Sequence, residues 1–144
     1  PKRTVRFCAW GAEEFSIIGS TEYVESRRGE VARSARAYVN LDMSAMGDNF
    51  GCAASPVLKT LIAEVTRHTP ALGSMLEDSG RITGPSVFDT WMSREQDPIL
   101  AGQPKFGDLG GGSDHVAFWC HAGVPSAGMG ASGGTAPRPI CPAR

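Results

Sequence analysis

The sequence predicts an α/β fold in which a mostly parallel sheet is flanked by helices, and three observations predict it. A β-branched and aromatic run, residues 4–10 "TVRFCAW", stops at Gly11 and reads as a strand buried on both faces. A helix-like stretch follows it. A second apolar run, residues 35–43 "ARAYVNLDM", completes a strand, helix, strand order. Such a unit crosses over right-handed and sets its two strands parallel.

The elements follow in order. After Gly11, Phe15, Ile17 and Ile18 supply apolar helix surface, Gly19 interrupts it, and Ser20 is the N-cap of a second helical piece with Glu22 in its first turn. Arg27 to Gly29 breaks that pattern. "NFGCAA" reads as a short third strand. The clearest helix comes next, with Ser55 as N-cap, Pro56 first, and Leu58, Leu61, Ile62 and Val65 spaced as a buried stripe. His68 falls in its last turn, where the helix dipole favours it. Residues 70–108 are rich in Gly, Pro, Asp and Ser, with a short helix in "SVFDTWMSRE", and read as a site-forming insertion. "GDLGGGSD" leads into a helix over "HVAFWCHAG", capped by Asp114 and ended by Gly123. "VPSAGMG" is the last strand. Residues 133–144, with three prolines among the last eleven and no periodicity, read as a disordered tail.

Of the 144 residues 41% are hydrophobic and 20% charged, and the net charge is −1, an ordinary balance that makes nucleic acid an unsuitable partner. No apolar run is long enough for a membrane helix, and "PKRTVRF" is neither a signal peptide nor a natural start, so the chain reads as an excerpt. The cysteines Cys8, Cys52, Cys120 and Cys141 lack the spacing of a zinc knuckle or redox pair, and Cys8 and Cys120 read as small core residues beside Phe7 and Trp119.

Glu13 and Glu14 follow the first expected strand and Asp42 ends the second. In a parallel sheet these positions meet at the carboxyl ends of the strands. Adjacent carboxylates repel unless one stays protonated or a cation sits among them. A divalent metal reconciles them, with one Glu and the Asp as oxygen ligands and the other Glu taking a proton from water. The structural alternative is a helix start at which two acids suit the dipole. A phosphate-loop reading of Gly110 to Gly112 fails for want of a following Lys.

"RTVRFCAWGAEEFSIIGSTEYVE", "ARAYVNLDMSA" and "GDLGGGSDHVAFWCHAGVPSAGMG" resemble consecutive blocks of the peptidase domain of the glutamate carboxypeptidase II (prostate-specific membrane antigen) family, zinc exopeptidases related more distantly to zinc aminopeptidases. The resemblance implies a partial three-layer zinc-peptidase-like fold, with residues 1–132 as the C-terminal part of the domain. It implies Glu13 as general base, Glu14 and Asp42 as ligands of two zinc ions, and Glu22 and Glu25 at a structural calcium site. It implies that Gly110, Gly111, Gly112, Ser113 and Asp114 line the substrate cleft. A peptide substrate, a homodimer, and an extracellular, vacuolar or membrane-anchored setting follow from it too.

Departures from the pattern carry expectations of their own. The family's remaining zinc ligands have no counterpart here, and His115 and His121 do not stand at their positions, so the isolated chain is expected to be inactive. Where acid-preferring members carry arginines and an Asn, this chain has Gly128, Gly130 and Ser113, which implies a preference for neutral residues. The alternative is a transferrin-receptor-like binding module that has lost its metals.

Overall fold

A computed structural model describes residues 2–133. The elements run α1 (Ile18–Ser26), α2 (Arg28–Ser34), β1 (Tyr38–Asn40), β2 (Asn49–Ala54), α3 (Pro56–Arg67), β3 (Met75–Leu76), β4 (Ile82–Thr83), α4 (Val87–Arg94), a π-helical turn (Ala117–His121) and β5 (Ser126–Ser132). The main sheet has the order β1, β5, β2. β1 lies parallel to β5, pairing Tyr38 with Ser126 and Asn40 with Gly128, whereas β2 lies antiparallel to it. The sheet is therefore mixed where a mostly parallel one was expected.

The largest difference from expectation is at the start. Residues 4–10 form no strand, and Phe7 is 94% exposed. A strand needs a neighbour for its backbone N–H and C=O groups, and among the described residues none pairs with this segment. The second expected strand shortens to Tyr38–Asn40.

The first helix starts at Ile18, so Ser20 lies inside it and is fully buried, and Glu22 falls beyond the first turn. Gly19 does not interrupt this helix. It lets two backbones approach: a Cβ there would collide with the Gly11 carbonyl, and the Gly19 N–H donates to that oxygen at 3.2 Å. The break at Arg27 holds, but α2 resumes at Arg28.

Pro56 opens α3 with Ser55 in the cap position, yet the Ser55 Oγ accepts from the Ser126 N–H at 3.0 Å and makes no cap bond. Its buried face is turned from the expected stripe. Ile62, Ala63 and Thr66 are inside, while Leu61 and Val65 are exposed. The packing partner accounts for this, because α3 meets α4, where the Arg67 guanidinium stacks 3.4 Å from the Phe88 ring centroid. α4 itself is where the short helix was expected, and it carries a capping box: the Asp89 N–H donates to the Ser86 Oγ at 3.1 Å and the Ser86 N–H to the Asp89 carboxylate at 2.9 Å. The β3–β4 hairpin was not expected within the insertion.

The buried residues form two clusters. One gathers Val24, Val31, Ala117, Phe118 and Val124, with Trp10, Tyr23 and Tyr38 packed against it. The other gathers Cys52, Ala54, Ile62, Trp91 and Ala127. Burial pushes the Cys52 thiol up to about 12, so it stays a neutral packing group. Cys8 and Cys120 are exposed, contrary to expectation. The π-helical turn sends Phe118 inward and leaves Trp119 and Cys120 outside. Gly123, at a φ of 66°, ends the helical segment as expected. The expected tail lies, from residue 134 on, outside the described residues.

Candidate active site

Asp42 stands two residues beyond β1, and the alternation of a strand sets Tyr38, Asn40 and Asp42 along one side. Asn40 is buried, and its Nδ2 donates to the Ser113 Oγ at 3.0 Å. The Ser113 Oγ in turn donates to Asp42 Oδ2 at 3.1 Å. Ser113 thus has its side chain turned toward the strand exit. Asp114, its neighbour, has one carboxylate oxygen, Oδ1, buried without a partner, so the expected helix cap does not form.

Glu13 sits in the turn between Gly11 and α1. There the Ile17 N–H donates to the Glu13 carbonyl at 2.8 Å and the Ile18 N–H to the Ala12 carbonyl at 3.2 Å. The Glu13 carboxyl is held above the ordinary glutamate value, first by loss of hydration and then by the charges of Glu14, Asp42 and Asp114. The structure therefore brings Glu13, Glu14, Asp42 and Asp114 into one electrostatic neighbourhood, although residues 4–10 are not the strand that was expected to deliver the first two.

The backbone around these acids is strained. Among the described residues four non-glycine positions have positive φ: Ala12 at 57°, Ser16 at 73°, Ile17 at 60° and Met43 at 47°. All four lie within three residues of Glu13, Glu14 or Asp42. A left-handed conformation is unfavourable for any residue with a Cβ and most of all for a β-branched one such as Ile17. Such residues collect at functional sites, at a cost of roughly 1–3 kcal/mol each.

The other expected site residues fall as follows. Gly110, Gly111 and Gly112 are exposed, and a Cβ at any of them would meet nothing within 4 Å. His115 is buried, and its Nε2 lies 2.8 Å from the Gly110 carbonyl. A carbonyl only accepts, so Nε2 carries the proton and His115 ties down the glycine loop. Glu22 and Glu25 are exposed on α1, and Glu25 faces His121 at 3.7 Å. His68 faces Glu64 at 3.0 Å. A groove of about 480 Å³ lined by Arg6, Phe7, Trp10, Tyr23, Arg27 and Glu30 contains none of the site acids.

The donor chemistry suits a hard or borderline dication, since the Glu13 carboxyl feels the charges of three other carboxylates and Asp114 Oδ1 is buried without a partner. The set is partial. Among the described residues no group of three or more His, Cys, Asp or Glu side chains is placed to hold an ion. Sequence reasoning gave no site task to Trp10, Tyr38, Asn40 or His115. The alternation of "YVNLD" is the signal that identifies Tyr38 and Asn40 as companions of Asp42.

The fold is a mixed α/β fragment, and comparison with known proteins gives the family. The model of peptidase family M28 matches residues 1–139, and the chain belongs to that family. The Caenorhabditis briggsae glutamate carboxypeptidase 2 homolog is 39% identical over 125 residues, covering 87% of this chain and 16% of that protein. Mouse aminopeptidase NAALADL1 is 33% identical over 129 residues, 88% of this chain and 16% of its own. The Arabidopsis thaliana "Probable glutamate carboxypeptidase LAMP1" is 33% identical over 129 residues, 90% of this chain and 17% of its own. The chain thus spans about a sixth of the length of these relatives.

Proposed function

We propose that the chain carries part of the catalytic centre of a zinc-dependent exopeptidase acting on terminal peptide bonds, with Glu13 as general base and Glu14 and Asp42 as zinc ligands. The observation that carries this reading is the placement of the strained residues. The four left-handed non-glycine positions flank these acids, a costly conformation to keep where nothing but folding is at stake. Family membership supports the same reading. Zinc, when bound, supplies Lewis-acid activation of water and carbonyl oxygen. Glu13 takes the proton from the attacking water and passes it to the leaving amine. Gly110 to Gly112 leave room for a substrate backbone, and Gly128 and Gly130 offer no charged partner to an acidic side chain, which favours neutral residues. A structural calcium ion at Glu22 and Glu25 belongs to the same reading, and Glu25 would turn from His121 to hold it.

The apolar side chains exposed on α3, Val57, Leu61 and Val65, are consistent with a homodimer. The setting proposed is extracellular, vacuolar or membrane-anchored; among the described residues no helix is long and apolar enough to cross a membrane.

In the full-length protein, Glu13→Gln is expected to lower kcat by about 10²- to 10⁴-fold with zinc content unchanged, while Glu14→Gln and Asp42→Asn lose zinc. Undiminished hydrolysis in Glu13→Gln overturns the assignment. The isolated chain is expected to bind zinc weakly and to turn over neither aminoacyl nor acidic dipeptide substrates; tight binding with turnover overturns that. A second reading, a non-catalytic transferrin-receptor-like module, is favoured by the lack of a three-donor group among the described residues. Full-length protein free of zinc and activity would establish it.

A further inference from the structure

Four hydrogen bonds run from an aromatic cluster to Asp42 without a gap. The Trp10 Nε1–H donates to the Tyr38 hydroxyl at 3.0 Å, and that hydroxyl donates to Asn40 Oδ1 at 3.1 Å. The Asn40 Nδ2 donates to the Ser113 Oγ at 3.0 Å, and Ser113 donates to Asp42 Oδ2 at 3.1 Å. The direction is forced by chemistry. An indole N–H can only donate and a carboxylate can only accept, so each hydroxyl between them has one way to place its hydrogen. The same logic fixes the Asn40 amide: flipped, it would leave the Tyr38 hydrogen without an acceptor and make two acceptors compete for the one hydrogen of Ser113.

The far end is immobilised by packing. Tyr38 stacks on Phe118 at 4.0 Å and 8°, and Trp10 packs against Tyr23 at 4.9 Å and Phe118 at 5.9 Å. Asn40 and Ser113 are 7% and 8% exposed, so neither hydroxyl nor amide has water as a ready substitute. At the near end Oδ1 of Asp42 accepts no bond from the described residues.

We propose that Ser113 and Asn40 are positioning residues for Asp42: they hold Oδ2 through a hydrogen-bond chain anchored on Trp10 and Tyr38, and so present Oδ1 to a divalent cation. This rests on the reading of Asp42 as a zinc ligand. It also gives Ser113 a different task from Gly110 to Gly112, because its hydroxyl is committed to Asp42 and is not offered to substrate. The one bond joins the glycine loop to the strand exit.

The test is a titration of the zinc-free full-length protein with Zn²⁺, read by calorimetry. Asp42→Asn is the control for the underlying reading and should abolish the response. Ser113→Ala should weaken the apparent affinity by about 10- to 100-fold, and Ser113→Thr, which keeps the hydroxyl, should restore it. Tyr38→Phe, which keeps the aromatic stack, should weaken it by less than Ser113→Ala does. Wild-type affinity in both Ser113→Ala and Tyr38→Phe, with Asp42→Asn inert, overturns the positioning role and leaves the ligand assignment standing. An unaltered response in Asp42→Asn, or no saturable response in the wild type, overturns both.

Discussion

Asp89 lies in the first turn of α4 and Glu13 in the turn that leads into α1, and the fold treats these two carboxylates in opposite ways. Asp89 accepts from the Ser86 N–H at 2.9 Å and from the Ser86 hydroxyl at 2.7 Å, and those bonds hold its carboxyl below the ordinary aspartate value. Glu13 loses hydration among like charges and is held above the ordinary value. The backbone at α4 is relaxed, while residues around Glu13 are left-handed. The lesson is that a carboxylate serving the fold arrives with its donors, whereas Glu13, proposed for chemistry, is left short of partners in a turn whose backbone is strained.

The largest expected effect lies on the structural side. Trp91, 1% exposed and edge-on to Phe50 and Phe106, should cost about 3–5 kcal/mol on replacement by Ala in urea unfolding. If Glu13→Gln destabilises comparably, the division between the two regions is wrong; the expectation is no loss at neutral pH. Gly19→Ala should cost on the order of 1–3 kcal/mol, since its methyl would drive the α1 backbone away from Gly11 and displace the Glu13 turn with it. Ser86→Ala removes half of the capping box and should cost about 1 kcal/mol. Ala12→Gly goes the other way. Relief of the left-handed strain exceeds the added chain entropy by a few tenths of a kcal/mol, roughly, so the melting temperature should rise slightly.

The smallest effect is one of sign. A depressed carboxyl contributes stability that is present above its unfolded value and lost as pH falls through its folded value, so Asp89→Asn should flatten the acid limb of the melting curve. A raised carboxyl does the reverse, and its penalty appears as pH rises from the ordinary glutamate value through the folded one. In chelator-treated samples, Glu13→Gln should therefore gain on the wild type toward neutral pH.

Much of the part built from β2, α3 and α4 was legible in the sequence because its signals are local. Pro56 after Ser55 sets the start of α3, "NFGCAA" coincides with β2, and "SVFDTWMSRE" contains α4. The acids proposed for the site are visible in the sequence for the same reason, two side by side and a third at the end of "YVNLD". Tertiary choices were not. Residues 4–10 have strand composition, but pairing is a property of neighbours, and composition cannot state whether one is there. Leu61 and Val65 sit at helical spacing, yet the position of α4 decides which side of α3 is covered. Phe118 and Trp119 are adjacent aromatics, and the π-helical turn selects the first for the core.

β5 lies between β1 and β2, and it is the last of the three to be synthesised. Until Ser126–Ser132 leaves the ribosome, the two earlier strands have no partner to join them among the described residues, so this sheet forms late. A nascent chain stalled short of Ser126 would hold β1 and β2 without the strand that pairs them in this sheet.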